Sequence, residues 1–317
     1  MTTRTLRLLL CLTLVLTAVG GVTTSAAAAE VPAGPQEPEQ PPGAVIKTRV
    51  FLVNLFVTAL DDDNYVRDLT EPDFIVYEDG EPQPIKYFNN LSESKDLPLT
   101  IIMLIDTSGS VVDKLQQEIA TASAFLKHIL RKNKDLAALI GFHSEVELLQ
   151  DFTDDPDRLD AALSRLRPGG NTSLYDAIYL AAEDMLSGEA GRKIIVVLSD
   201  GADTSSRVKQ EEAIRAAQKN DVLIYGLGVR SPRFQSDFRS LKKFTEETGG
   251  KFFSVKASIQ TLRNTFDQIM TDIHHQYNIA YEPKNQARNG EYREIKVKVK
   301  GRRLDLYYRN GYFAPED

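Results

Sequence analysis

Along this chain the apolar residues gather into short unbroken runs, each followed by a stretch with helical spacing. The run Thr100-Ile101-Ile102-Met103-Leu104-Ile105 has no polar alternation. That suits a central strand of a parallel sheet covered on both faces, although a run this short also fits a buried helix. After it, apolar residues fall at Leu115, Ile119, Ala122, Leu126 and Ile129, the spacing of one helix face, with Ser110 placed as an N-cap hydroxyl. The pattern predicts a hairpin-like pair over 136–142 and 146–149, and strands over 193–198, 222–229 and 251–255. It predicts helices through Leu159, Leu163 and Leu166 and over 174–186, 208–219, 238–248 and 259–274. Such alternation argues a mainly parallel sheet with helices on both faces.

The flanks read differently. Strand-like segments at 50–57, 74–77 and 85–88 precede this region, and others at 277–281, 293–300 and 304–308 follow it. Neither flank carries enough apolar strand to bury a face alone. Segments 45–96 and 276–317 are therefore expected to pair into one small all-β, sandwich-like domain, with the α/β domain of residues 97–275 inserted between them. The expected fold class is α/β, a Rossmann-like doubly wound sheet within a β frame.

At the amino terminus, Arg4 and Arg7 precede the apolar run Leu8 to Val22, and small residues Ser25 to Ala29 follow. These are the three zones of a secretory signal, so residues 1–29 are expected to be removed on export. The run is interrupted by Thr13, Thr17, Gly20 and Gly21 and is short for a membrane anchor. Residues 30–44 follow as a proline-rich linker, a stiff spacer with no core of its own. The only cysteine, Cys11, lies inside the apolar run and leaves with it, which excludes disulfides and thiol catalysis from the mature chain. Loss of Arg4 and Arg7 takes the formal charge from −7 to about −9. Such a surface disfavours nucleic acid and anionic membrane as partners. The basic residues from Arg293 to Arg303 alternate with Ile295, Val297 and Val299, as on the solvated face of a strand. Asp61-Asp62-Asp63 lacks the glycine and distal glutamate of an EF-hand loop and reads as a solvated turn.

Three loops carry the chemistry. The strand ending at Ile105 delivers Asp106-Thr107-Ser108-Gly109-Ser110; the turn Gly169-Gly170-Asn171-Thr172 opens a helix; the strand 193–198 ends in Ser199-Asp200-Gly201. A carboxylate beside two neutral hydroxyls suits Mg²⁺ or Mn²⁺, which prefer oxygen ligands in octahedral array. In open α/β sheets, ligands bind outside the carboxyl ends of strands. Each loop also has an ordinary explanation, since Asp and Ser satisfy turn amides and glycines make turns.

Taken together and in this order, the loops resemble the von Willebrand factor type A family. Its metal-ion-dependent adhesion site joins an Asp-x-Ser-x-Ser loop, a distant Thr and a distant Asp. The resemblance covers roughly residues 97–275 and implies that Asp106, Ser108, Ser110, Thr172 and Asp200 hold one Mg²⁺ or Mn²⁺. It implies further that a protein partner completes the cation's shell with an Asp or Glu carboxylate. The whole chain resembles a secreted bacterial group of proteins related to that family and common in acidobacteria, on Asp73-Phe74-Ile75-Val76-Tyr77-Glu78-Asp79-Gly80 and Arg309-Asn310-Gly311-Tyr312-Phe313-Ala314-Pro315. The expectation is a secreted, periplasmic or cell-surface adhesion or protein-binding module that is not an enzyme and has no transmembrane segment after signal cleavage. In adhesive members of the family, the resemblance implies, the final helix shifts on ligand capture; the plain alternative for 259–274 is fixed core. A scaffold whose metal is structural or absent is the other non-catalytic reading. Asp106-Thr107-Ser108 is similar to the nucleophile loop of haloacid-dehalogenase-like phosphatases, but Ser108 stands where their acidic second residue would act. No nucleophile elbow or zinc-protease helix is present, and nothing pairs His143, His274 or His275 with a nucleophile.

Overall fold

The computed structural model describes residues 51–93, 97–111, 114–200, 203–230, 236–256 and 258–316. The expected signal sequence and proline-rich linker lie outside the described residues. All described residues belong to one compact unit. In chain order they form β1 (Val53–Asp61), β2 (Asn64–Tyr65), β3 (Phe74–Glu78), β4 (Glu81–Gln83), β5 (Ile85–Asn90), β6 (Leu99–Asp106), α1 (Leu115–Ile129), β7 (Leu136–Phe142), β8 (Val146–Thr153), α2 (Pro156–Leu163) and α3 (Leu174–Tyr179). There follow β9 (Arg192–Ser199), α4 (Gln210–Lys219), β10 (Val222–Arg230), α5 (Arg239–Thr248), β11 (Phe252–Lys256), α6 (Ile259–His274), β12 (Gln276–Tyr281), β13 (Tyr292–Val299), β14 (Asp305–Tyr307) and β15 (Gly311–Phe313).

A six-stranded sheet runs β11-β10-β9-β6-β7-β8, parallel throughout except for β8, which returns antiparallel along β7. Strand β6 is buried along its whole length, which explains its unbroken apolar run. Its side chains alternate between two cores. Ile101, Met103 and Ile105 pack in one with α1, α2 and α6; Ile102 and Leu104 pack in the other with α3, α4 and α5. This is the doubly wound arrangement expected from the sequence.

Two antiparallel sheets complete the molecule. One orders β14-β1-β12-β5, with β2 paired to β1, and the other orders β15-β13-β3-β4. Each mixes strands from before and after the parallel sheet: β1 pairs with β12 from Val53↔Tyr281 to Thr58↔Gln276, and β3 pairs with β13 from Val299↔Phe74 to Ile295↔Glu78. Val53, Leu55 and Val57 of β1 share one core with Phe74, Val76, Ile295 and Val297 of the other sheet. The α/β fold is thus inserted in a small β sandwich. Within that sandwich, buried Glu78 accepts hydrogen bonds from Tyr281 (2.8 Å) and Tyr312 (2.9 Å) and pairs with Arg293 at 3.5 Å.

Three local expectations need correction. Ser110 does not cap α1: Gly109–Val111 form a 3₁₀ turn and the helix begins at Leu115, its N-cap residue being Lys114. The Ser110 hydroxyl lies instead 3.1 Å from that of Ser108. The buried face of α1 is also rotated, so Glu118 is fully enclosed while Ile119 is only partly buried. The helix expected over 174–186 changes to a π-helical turn over Leu180–Met185. Short β2, β4 and β15 carry too little alternation to stand out in sequence, and only pairing with neighbours makes them strands.

Helix α6 is anchored by a buried polar network. Asp272 forms an ion pair with Lys251 and accepts hydrogen bonds from Tyr225 of β10 (2.6 Å) and Tyr65 of β2 (3.3 Å). Two residues beyond α6, Gln276 receives Arg192, whose other terminal nitrogen donates to the Ile273 carbonyl at 2.7 Å. Breaking one side of a buried pair strands the other charge, at a cost of about 3–5 kcal/mol. Lys251→Met is expected to lower unfolding stability by that amount in urea titrations, and the added change Asp272→Leu to recover much of it. A loss under about 1 kcal/mol for Lys251→Met would contradict this anchor.

Candidate metal centre

The carboxyl edge of the parallel sheet is where the three loops meet. Asp106, the last residue of β6, is 0% exposed. One carboxylate oxygen accepts the Ser108 amide at 2.8 Å, and the other accepts the Ser199 hydroxyl, from the end of neighbouring β9, at 2.6 Å. Burial nevertheless pushes the Asp106 carboxyl up to about 6; Ser199 and Ser108 oppose that push and the charge of Asp200 adds to it. Asp106 is therefore aimed by neighbouring donors and sits beside a second carboxylate.

The first and second loops are stitched through their backbones. Gly109 donates to the Gly170 carbonyl at 3.2 Å, and Gly169 donates to the Thr107 carbonyl at 2.7 Å. Glycine is required at 170 because φ is +67° and a Cβ there would stand 2.4 Å from the Ser144 hydroxyl. That hydroxyl accepts the Asn171 amide at 2.8 Å, and the Ser173 amide donates to the His143 carbonyl at 2.7 Å, so the end of β7 buttresses the turn.

The third loop is fastened to the second. Thr204 and Ser205 donate their amides to the Thr172 carbonyl at 2.8 and 3.1 Å, and the Thr172 amide donates to the Thr204 hydroxyl at 2.9 Å. Asp176, on the first turn of α3, accepts the amides of Arg207 and Val208, while Asp203 accepts the amide of Tyr175. These bonds hold residues 203–208 against the start of α3.

All five candidate ligands thus belong to one set of interlocked loops. Ser108 and Ser110 present adjacent hydroxyls. Among the described residues the Asp200 carboxylate and the Thr172 hydroxyl enter no hydrogen bond, although Asp200 is only 5% exposed. Two carboxylates and three hydroxyls, with a buried carboxylate left over by the protein, fit a hard divalent cation such as Mg²⁺ or Mn²⁺. No group of three or more His, Cys, Asp or Glu among the described residues is placed to hold a metal.

Two residues of this neighbourhood escaped sequence reasoning. Ser199 reads as the tail of a strand, and only strand pairing brings its hydroxyl to Asp106. Glu118 lies on α1, 0% exposed, and neither carboxylate oxygen has a hydrogen-bond partner. Its sequence signal was a charge inside the apolar stripe of α1. Burial pushes its carboxyl up to about 8; Lys114 opposes that, and Asp106 and Asp200 add to it.

A carboxyl that holds its proton more tightly in the folded chain stabilises the fold fully below its unfolded value, here near 4.5, and that contribution disappears as pH rises through about 8. In EDTA, the melting midpoint of the wild-type protein is expected to fall between pH 7 and 8.5, and Glu118→Gln to flatten the decline. Equal slopes for the two proteins would contradict this assignment.

Comparison with known proteins agrees with this architecture. The family model described as von Willebrand factor type A domain matches residues 100–268. An uncharacterized protein of Borreliella burgdorferi is 25% identical over 182 residues, which cover 49% of this chain and 53% of that protein. The minor fimbrium subunit Mfa5 of Porphyromonas gingivalis is 29% identical over 116 residues, covering 34% of this chain and 9% of that one. The chain thus matches about half the length of the first relative and about a tenth of the second. Among solved structures, proximal thread matrix protein 1 from the mussel byssus superposes with a TM-score of 0.50 at 14% identity, over 62% of this chain and 51% of that one, a likeness of fold. No helix among the described residues is long and apolar enough to cross a membrane. With the family model matching over half of its length on the sheet and loops described above, the chain belongs to the von Willebrand factor type A domain family.

Proposed function

We propose that this chain is a secreted or surface-exposed protein-binding module in which Asp106, Ser108, Ser110, Thr172 and Asp200 hold one Mg²⁺ or Mn²⁺. The observation that carries this is the Asp200 carboxylate, nearly buried and unused by the protein, beside the interlocked loops that present three hydroxyls. A cation held largely by neutral hydroxyls stays electron-poor and takes a carboxylate oxygen from a partner's Asp or Glu. The chain's own residues position rather than react: Asp106 is fixed by Ser199 and Ser108, and Thr172 by the third loop. Ser108 gives the loop a hydroxyl where an aspartyl phosphatase needs an acid, which favours binding over hydrolysis. The likeness to a minor fimbrium subunit supports an adhesive or interaction role. The predicted signal sequence supports export, to the periplasm or the cell surface.

Calorimetric titration with MgCl₂ and MnCl₂ tests the site. Asp106→Ala should abolish the binding heat with the circular dichroism spectrum retained, and Asp200→Asn, which keeps the side chain's volume, should weaken binding by at least about tenfold. That factor corresponds to about 1.4 kcal/mol. Capture of envelope proteins by the wild-type chain should occur in Mg²⁺ and cease in EDTA. Wild-type binding heat in both variants would contradict the assignment, and Mg²⁺-dependent phosphatase turnover would replace the binding role with an enzymatic one.

A further inference from the structure

Glu118 occupies the first turn of α1 among Leu115, Ala122, Phe125 and Leu126, all part of the apolar core. An ionised carboxylate taken out of water without a hydrogen-bond donor is among the costliest groups a fold can enclose. A helical neighbour is available, since Lys114 precedes it by four residues. Lys114 is itself buried, however, and directs its ammonium to the Val229 carbonyl of β10 at 2.6 Å. Lys114, Asp106 and Asp200 are the charges that act on Glu118, Lys114 most strongly, through the protein interior, where charges are screened far less than at the surface. When Asp106, Asp200 and Glu118 are all ionised, three carboxylates face one ammonium. A divalent cation brings the set to neutrality.

We propose that Glu118, on the first turn of the helix that follows the Asp106–Ser110 loop, is a positioning residue for the cation site that supplies, once ionised, a third negative charge without touching the cation. The inference rests on the cation site proposed above. It accounts for a carboxylate kept in an apolar stripe with no donor of its own. The charge serves an ion held elsewhere rather than the packing around it. A purely structural Glu118 would be replaced best by a side chain of its own shape; a residue acting by charge is replaced best by another carboxylate.

The test compares Glu118→Gln, which keeps the shape and removes the charge, with Glu118→Asp, which keeps the charge and shortens the side chain. Mn²⁺ affinity of the full chain is measured by calorimetry at pH 8, with the melting midpoint in EDTA as a readout independent of loading. Outer carboxylates of metal sites are typically worth about 10–100-fold in affinity. Glu118→Gln is expected to bind Mn²⁺ at least about tenfold more weakly than wild type while melting in EDTA no lower than Glu118→Asp. Glu118→Asp is expected to stay within about threefold of the wild-type affinity. The reverse order, with Glu118→Gln binding like wild type and Glu118→Asp impaired, overturns the inference and leaves the cation site standing. A wild-type chain that takes up no Mn²⁺ overturns the cation site and this role together.

Discussion

The candidate site depends on a carboxylate at the closed end of a fully buried strand. Asp106 terminates β6, whose eight residues are all enclosed, so the strand that stabilises both cores also carries an acidic group out of solvent. Donors reach this group from two sides and offset the cost of its burial. The Ser108 amide comes from its own loop and the Ser199 hydroxyl from the adjacent strand. The second donor ties the site to the sheet, because the spacing of β6 and β9 sets the position of the Asp106 carboxylate. Asp200 follows Ser199 directly, so the same pairing places the second carboxylate.

Much of this was legible from local sequence. Strand β6 stood out because both of its faces are covered, which removes polar alternation. Helix α6 was bounded correctly because Leu262, Phe266, Ile269 and Ile273 mark one buried face. What escaped depends on long-range geometry. The start of α1 is not legible locally, because the Ser110 hydroxyl turns toward Ser108 instead of a helix amide. Glu118 is hidden in the sequence because an apolar stripe reads through one charged position, and only the rotation of the helix shows which residue is enclosed. Ser199 gained meaning only from the register of β9.

The β sandwich and the type A fold are joined by polar groups that local patterning could not pair. Asp272 at the end of α6 meets Lys251, Tyr225 and Tyr65, which lie far apart in sequence. Arg309 reaches Asp221 and the Gln218 carbonyl, and Arg215 of α4 lies 3.9 Å from the centre of the Phe313 ring. The segment Arg309-Asn310-Gly311-Tyr312-Phe313 is thereby a seam between the tail and α4. The Asp272 contacts hold α6 in a defined register against the sheet. Sliding the helix would expose or unpair Asp272, a penalty that any shift of this helix on ligand capture must overcome.

The central claim is that three separately encoded loops build one cation site at the carboxyl edge of the sheet. Anomalous diffraction from crystals of the protein grown with MnCl₂ tests it most directly. One Mn²⁺ peak ringed by Ser108, Ser110 and Thr172, with Asp106 and Asp200 bonded to it directly or through water, is the predicted result. Absence of a peak at that edge, or a Mn²⁺ bound elsewhere with Thr172 turned away from Asp106, would contradict it.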